Sequence, residues 1–291
     1  MDGFQMLPSL SWSSLISVVA PLRAAVKDAI RLDPVDDWKE LGEEDPYFGV
    51  LSSEANRGRQ LDTGTLNAFY QSGQAHVDVI FKIAKRQFSF EPHGKALDFG
   101  CGVGRVTCAL APHFSEVVGL DISAGMLAKA KAHSNEFGHR NIRYLNTSAG
   151  YDIPENDFDF VHIYIVLQHM DIALGEKAFR QMVRGLRSNG FAAIHFTHGH
   201  VKGRLYQSLR EILKKTAVTR AVGNMLLGRK WNNTAVLMSR YSIDRMFAIL
   251  KESRIENMFV HLVDDWGDFG LFVFLRKGPD AASDWSNPVR S

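Results

Sequence analysis

The sequence predicts an α/β protein, and three observations carry that reading. Short apolar runs at Ala96–Phe99, Glu116–Leu120, Ile142–Leu145, Phe158–Tyr164 and Phe191–Phe196 alternate with segments of helical apolar spacing. The first run empties into a turn with glycine at every second position, Gly100, Gly102 and Gly104. Two late apolar runs, Asn257–Val263 and Leu271–Leu275, flank a polar stretch and read as an antiparallel hairpin with a five- or six-residue loop.

Composition narrows the class. The chain has 291 residues, 45% of them hydrophobic and 23% charged, ordinary values for a chain that buries a core. A net charge of +2 gives no global attraction to nucleic acid or a membrane. Cys101 and Cys108 make no disulfide framework and no zinc spacing. They suit a reducing compartment, hence an expected cytoplasmic location.

In chain order, residues 1–64 read as an arm and cap. Met1–Leu32 is broken by serines and Pro21, and lacks both a basic leader and an uninterrupted membrane-length span. Ser14–Val19 with Leu22–Ile30 reads as an amphipathic packing arm, the sharper alternative being an interfacial membrane helix. Asp33–Gly64, polar with Trp38, Tyr47 and Phe48, reads as an irregular cap. A helix is expected from about Gln74 to Gln87, with Val77, Ile80 and Ala84 inward. The strand Ala96–Phe99 comes next, and Arg105–His113 follows the glycine turn with helical spacing. The strand Glu116–Leu120 and a helix over Met126–His133 complete this half. Further helices are expected over Gly175–Leu186, ended by Gly190 at positive φ, and over Tyr241–Ser253. Lys202–Lys230 carries eight Lys/Arg against Glu211 alone and reads as a basic amphipathic lid inserted at about 199–235. Residues 278–291 read as a polar tail.

A strand running into a glycine turn at a helix start cradles a nucleotide-like ligand. The dinucleotide fingerprint fails in both frames, because its third glycine would fall on Arg105 or Thr107. The pattern present is Asp98-x-Gly100-x-Gly102-x-Gly104. Asp121 lies 17 residues past Gly104 at the end of the second strand, where a carboxylate accepts from both hydroxyls of a ribose.

Asp98-Phe-Gly-Cys-Gly-Val-Gly-Arg, Gly119-Leu-Asp-Ile-Ser and Phe158-Asp-Phe-Val through Val166-Leu-Gln-His together resemble class I S-adenosylmethionine (SAM) methyltransferases of the bacterial small-molecule branch. The resemblance covers about Asp45–Lys277, with the domain itself at 65–277. It implies a Rossmann-like, mostly parallel seven-stranded sheet with a C-terminal antiparallel hairpin and helices on both faces. It also implies SAM as cofactor. Asp98 would meet the cofactor's ammonium, and Asp121 would hold its ribose. Gly100, Gly102, Gly104, Arg105, Ile122, Met126 and Ile165 are carried over as cofactor residues. Tyr70 would lie over the methionine end, or Phe69 and Tyr70 are plain core aromatics. Many relatives have an aspartate for the adenine after the third strand. Here Asn146-Thr-Ser-Ala-Gly150 stands instead, leaving backbone near Ala149 and Gly150, or Ser148, to read the base.

A sulfonium methyl is already activated, so the protein must hold a nucleophile in line and exclude water. His169, after the fourth strand, is the leading candidate base, with His198 second. His195 alternates with Ile194 and Phe196 inside a strand and suits a structural role. His195-x-x-His198-x-His200 also admits a metal reading, but no carboxylate is near in sequence and none is expected. The expected acceptor is a small, lipid-like or glycosidic molecule, methylated on oxygen or nitrogen. Nucleic acid is disfavoured because the basic segment has Tyr206 as its lone aromatic platform. Peripheral membrane contact and oligomeric state stay open. The alternative is a non-catalytic SAM-binding or partner-binding module of the same fold.

Overall fold

The computed structural model describes residues 34–200, 238–265 and 268–279. The expected N-terminal packing arm, most of the basic lid at 199–235 and nearly all of the 278–291 tail lie outside the described residues.

The expected irregular cap is helical from Pro34 onward. Helices α1 (Pro34–Glu44) and α2 (Pro46–Val50) each open on a proline, whose fixed φ and missing N–H suit a first helical turn. Asp36 and Asp37 add acid to the first turn of α1, which favours that end of the helix dipole. A short 3-10 turn follows at Glu54–Asn56. Helix α3 (Thr63–Phe88) begins eleven residues before the expected Gln74, because Asp62 caps it by accepting from Gly64 N and Thr65 N. From there Phe69, Gly73, Val77, Ile80, Ala84 and Phe88 form one continuous buried stripe.

Strand β1 (Lys95–Phe99), helix α4 (Arg105–Leu110), strand β2 (Glu116–Asp121), helix α5 (Ala124–Glu136) and strand β3 (Ile142–Asn146) make up the first half of the sheet. Strand β4 (Phe158–Ile163) leads through a 3-10 turn at Leu167–His169 into helix α6 (Ile172–Gly185) and strand β5 (Leu186–His200). Strand β5 starts earlier than the expected Phe191, directly where α6 ends. The left-handed residue there is Asn189 (φ 65°), not Gly190. Gly190 is used for closeness instead, since a Cβ on it would lie 2.8 Å from Arg187 O. After helix α7 (Ile243–Glu252), strands β6 (Ile255–Asp265) and β7 (Asp268–Lys277) pair antiparallel out to Asp265↔Asp268. The loop between them is therefore shorter than the expected five or six residues.

The seven strands run in the order β3-β2-β1-β4-β5-β7-β6. The first five are parallel, and β7 is antiparallel to both β5 and β6. Alternation along each strand sends residues to two separate cores. Leu97, Val161, Ile163, Ile194 and Phe196 pack with Phe179, Met182 and Met246 of α6 and α7. Ala96, Val117, Phe160, Phe191 and Phe274 pack with Val77, Ile80 and Leu110 of α3 and α4. Each fully buried large side chain contributes about 1.5–3 kcal/mol relative to exposure. No helix among the described residues is long and apolar enough to cross a membrane.

Candidate active site

Strand order reverses between β1 and β4, and in open α/β sheets ligands bind in the crevice beyond the carboxyl ends at that switch point. The turn leaving β1 holds Gly100, Gly102 and Gly104 at φ 73°, 52° and 82°, a region that side chains disfavour. Gly100 N and Cys101 N both donate to Leu120 O, at 2.7 and 2.9 Å. Asp121 completes the clasp: Oδ2 accepts from Gly102 N and Oδ1 from Ser123 N, each at 2.8 Å. Burial pushes the Asp121 carboxyl up, and the two N–H donors oppose that shift. Each carboxylate oxygen keeps lone-pair capacity beyond its single backbone donor, as a grip on a diol requires.

Asp98 is placed differently from its expected role. It is 2% exposed and shares the α3–α4 face of the sheet with Ala96. Thr107 Oγ1 donates to its Oδ2 at 2.6 Å, and His162 Nδ1 lies 2.7 Å from its Oδ1. Both oxygens serve an internal network on the α3–α4 face of the sheet. The chain of contacts continues to His76, whose Nε2 is 3.0 Å from His162 Nε2. Burial, then the facing His162, Arg105 and His195, push the His76 imidazole down to about 2.

The other predicted cofactor residues divide between rim and packing. Ile122 O accepts from Asn146 Nδ2 at 3.0 Å, tying the ends of β2 and β3. Ala149 and Gly150 form an exposed turn beyond β3, with Gly150 at φ 92° and its N–H on Thr147 O. Ile165 lies just past β4 at φ 56°, a costly conformation for a β-branched residue. Met126 is buried with Tyr47, Phe69 and Val103. Tyr70 donates its hydroxyl to Val103 O at 2.9 Å and stacks on His133, bracing the glycine turn from the helix side. Arg105, 6% exposed, donates through Nη1 to Ser72 Oγ of α3.

The candidate bases are dispersed. His169 sits in the turn after β4 with its ring 4.9 Å from that of Trp38 in α1. His198 Nδ1 lies 2.8 Å from Tyr241 O. A carbonyl only accepts, so Nδ1 carries the proton and Nε2 the lone pair. His195 is 1% exposed, with Nε2 3.1 Å from Asp265 Oδ2. Among the described residues no three His, Cys, Asp or Glu side chains cluster as a metal site.

Residues 96–190 match the family model described as a methyltransferase domain. Over this stretch the chain is similar to SAM-dependent methyltransferases. The chain is 34% identical over 188 residues to a probable SAM-dependent methyltransferase of Saccharomyces cerevisiae, covering 64% of this chain and 59% of the relative. It is 32% identical over 120 residues to the trans-aconitate 2-methyltransferase of Deinococcus radiodurans, covering 39% and 43%. The chain thus spans less than two thirds of these curated relatives. Magnesium protoporphyrin IX methyltransferase from Synechocystis PCC 6803, solved with bound S-adenosylhomocysteine, shares the fold. Its TM-score is 0.54 at 15% identity, over 84% of this chain and 100% of that one.

Sequence reasoning missed the polar groups buried along the sheet: His76, His162, Tyr164 and Asp265. The one signal for His162 is its place in an otherwise apolar strand, at alternate positions with Phe160 and Tyr164. A buried imidazole on the face that Asp98 also occupies implies a pair.

Proposed function

We propose that the chain transfers a methyl group from SAM to a small-molecule acceptor, on oxygen or nitrogen. The observation that carries this reading is the glycine turn clasped to Asp121 at the β1–β4 switch point. Bound there, SAM supplies a methyl already activated on sulfonium. Asp121 holds the ribose hydroxyls through its spare lone pairs. Gly100, Gly102 and Gly104 allow close backbone approach, and the 149–150 turn reads the base. The residues present fit the cofactor, except that Asp98 supports the turn from below instead of pairing with the ammonium.

On the acceptor side, His169 and His198 are the candidate groups to take a proton from a hydroxyl or amine. His198 is held in the tautomer that leaves Nε2 open to accept. Trp38 packs its ring on His169. A small-molecule acceptor is supported by the Deinococcus relative, which is named for its action on trans-aconitate. A cytoplasmic location, proposed from the two cysteines, fits such an acceptor.

The test is methyl transfer from labelled SAM into fractions of a small-molecule extract. A labelled product that depends on the protein, and disappears with Asp121→Ala, supports the reading. Cofactor binding without transfer to any fraction favours the non-catalytic module.

A further inference from the structure

Strand β6 is an edge of the sheet with apolar side chains on both of its faces. It ends the strand order, and among the described residues its eleven residues pair with β7 alone. Met258, Phe259 and Leu262 are 38%, 36% and 58% exposed, with Phe259 on the opposite face from the other two. On the Met258 side the apolar surface runs into a groove against α7, lined by Phe247 and Leu250. On the other side the Phe259 ring lies 6.0 Å from that of Phe274 in β7.

Edge strands are ordinarily kept from pairing by shortness, by Pro or by outward charge, Lys above all. Between Ile255 and Asp265 there is no Pro and no Lys, and Asn257–Val263 carries no acid, Lys or Arg. The register shift against β7 lies at the start of the strand, between Ile255 and Asn257, and leaves the rest straight. The opposite edge shows the contrast: β3 is five residues long and exposes Arg143 and Asn146. A long apolar edge of this kind is a template for another strand.

The strand that fits is β6 itself. A two-fold axis normal to the sheet lays a strand antiparallel to its own copy, each residue opposite one of like face. Centred on Phe259, this register sets Phe259 against itself, Met258 against Val260, Asn257 against His261 and Ile255 against Val263. Arg254, one residue before the strand, falls opposite Asp264, and both are exposed. Leu262 opposite Glu256 is the weakest match. Moving the centre to Val260 puts Glu256 against Asp264, and moving it to Met258 puts Glu252 against Asp264. Like charges directly opposite destabilise a strand pair, so charge selects the Phe259 register.

We propose that β6 is the docking edge for a second copy of this chain, joining two sheets antiparallel in the register centred on Phe259. Aromatic and β-branched pairs fill its centre, and the symmetry supplies the Arg254–Asp264 pair twice. The proposal does not depend on the cofactor reading.

Sedimentation velocity on the full chain tests it, with Phe259→Lys, Arg254→Glu, Asp264→Arg and the double variant Arg254→Glu/Asp264→Arg. The expected result is a wild-type dimer that Phe259→Lys abolishes. Either charge reversal alone should weaken it by about tenfold or more, and the double variant should recover it by rebuilding the pair with its signs exchanged. Phe259→Cys reads the register: under mild oxidation it should crosslink into a covalent dimer, because position 259 faces its own copy, while Asn257→Cys should not. Cys101 and Cys108 are buried and do not compete. Should Phe259→Lys fail to fold, the reversals at the two exposed charges and the crosslink decide. A wild type that stays monomeric at micromolar concentration overturns the proposal, including where another segment of the same chain covers the edge. So does a dimer that Phe259→Lys leaves intact, one that the double reversal fails to recover, or one in which Phe259→Cys forms no crosslink.

Discussion

His162 Nδ1 and Asp98 Oδ1 lie 2.7 Å apart on neighbouring strands, at opposed positions of the β1–β4 register and with both residues about 2% exposed. The carboxylate leading into the glycine turn is therefore a buried partner of an imidazole. Breaking such a pair from one side leaves an uncompensated group. His162→Leu should cost about 3–5 kcal/mol in urea unfolding. Asp98→Asn, which keeps shape and a contact to Thr107, should cost less. A loss under about 1 kcal/mol for His162→Leu would remove the network from any account of the fold.

Gly100 and Val166 make a second pair that can be tested alone. A Cβ on Gly100 would lie 2.3 Å from Val166 Cγ2, at a backbone φ of 73°. Gly100→Ala should destabilise through both strain and overlap. Adding Val166→Ala should recover the overlap part, giving a coupling of about 0.5–3 kcal/mol in a double-mutant cycle. Strict additivity would show that the overlap is relieved some other way.

Acid sensitivity follows from His76. Its imidazole is held at about 2 when folded, against 6.5 for the ordinary group. Between those values the unfolded chain binds a proton that the native state refuses. Its contribution is therefore fully present above the unfolded pKa, and stability falls as pH drops below it, by up to about 1.4 kcal/mol per pH unit. His76→Gln should flatten the stability–pH curve over this range. An unchanged slope would assign the acid sensitivity to other groups.

The histidines near the carboxyl ends of β4 and β5 should separate by assay. His169→Ala should lower turnover with the true acceptor by roughly 10²-fold and leave S-adenosylhomocysteine affinity nearly intact. His195→Ala, removing a buried ring beside Asp265, should instead lower the melting temperature. Normal turnover in His169→Ala moves the base to His198. An acceptor that is already anionic needs no base, and every histidine variant would then stay within a few-fold of wild type.

Much of the fold was legible because local pattern and tertiary role agree. Ala96–Phe99 and Glu116–Leu120 are apolar runs of strand length, and both are strands. Residues 34–50 were not legible as helix because their polarity hides a stripe that buries against α3, α5 and the glycine turn. The surroundings of Asp121 were legible because its place at a strand end determines what it can reach. Those of Asp98 were not, because strand alternation sends its carboxylate to the α3–α4 face, where His162 comes from 64 residues away. Spacing shows which residue follows a strand. It does not show which distant side chain has already claimed its hydrogen bonds.

The most direct test of the central claim is calorimetric titration of wild type and Asp121→Ala with S-adenosylhomocysteine. The account predicts a saturable site in wild type, weakened by about 1.5–3 kcal/mol in the variant, the range for hydrogen bonds to a charged group. It predicts no NAD binding, since Arg105 and Thr107 stand where the third fingerprint glycine would fall. Equal affinity in both proteins, or a micromolar NAD site, would contradict it.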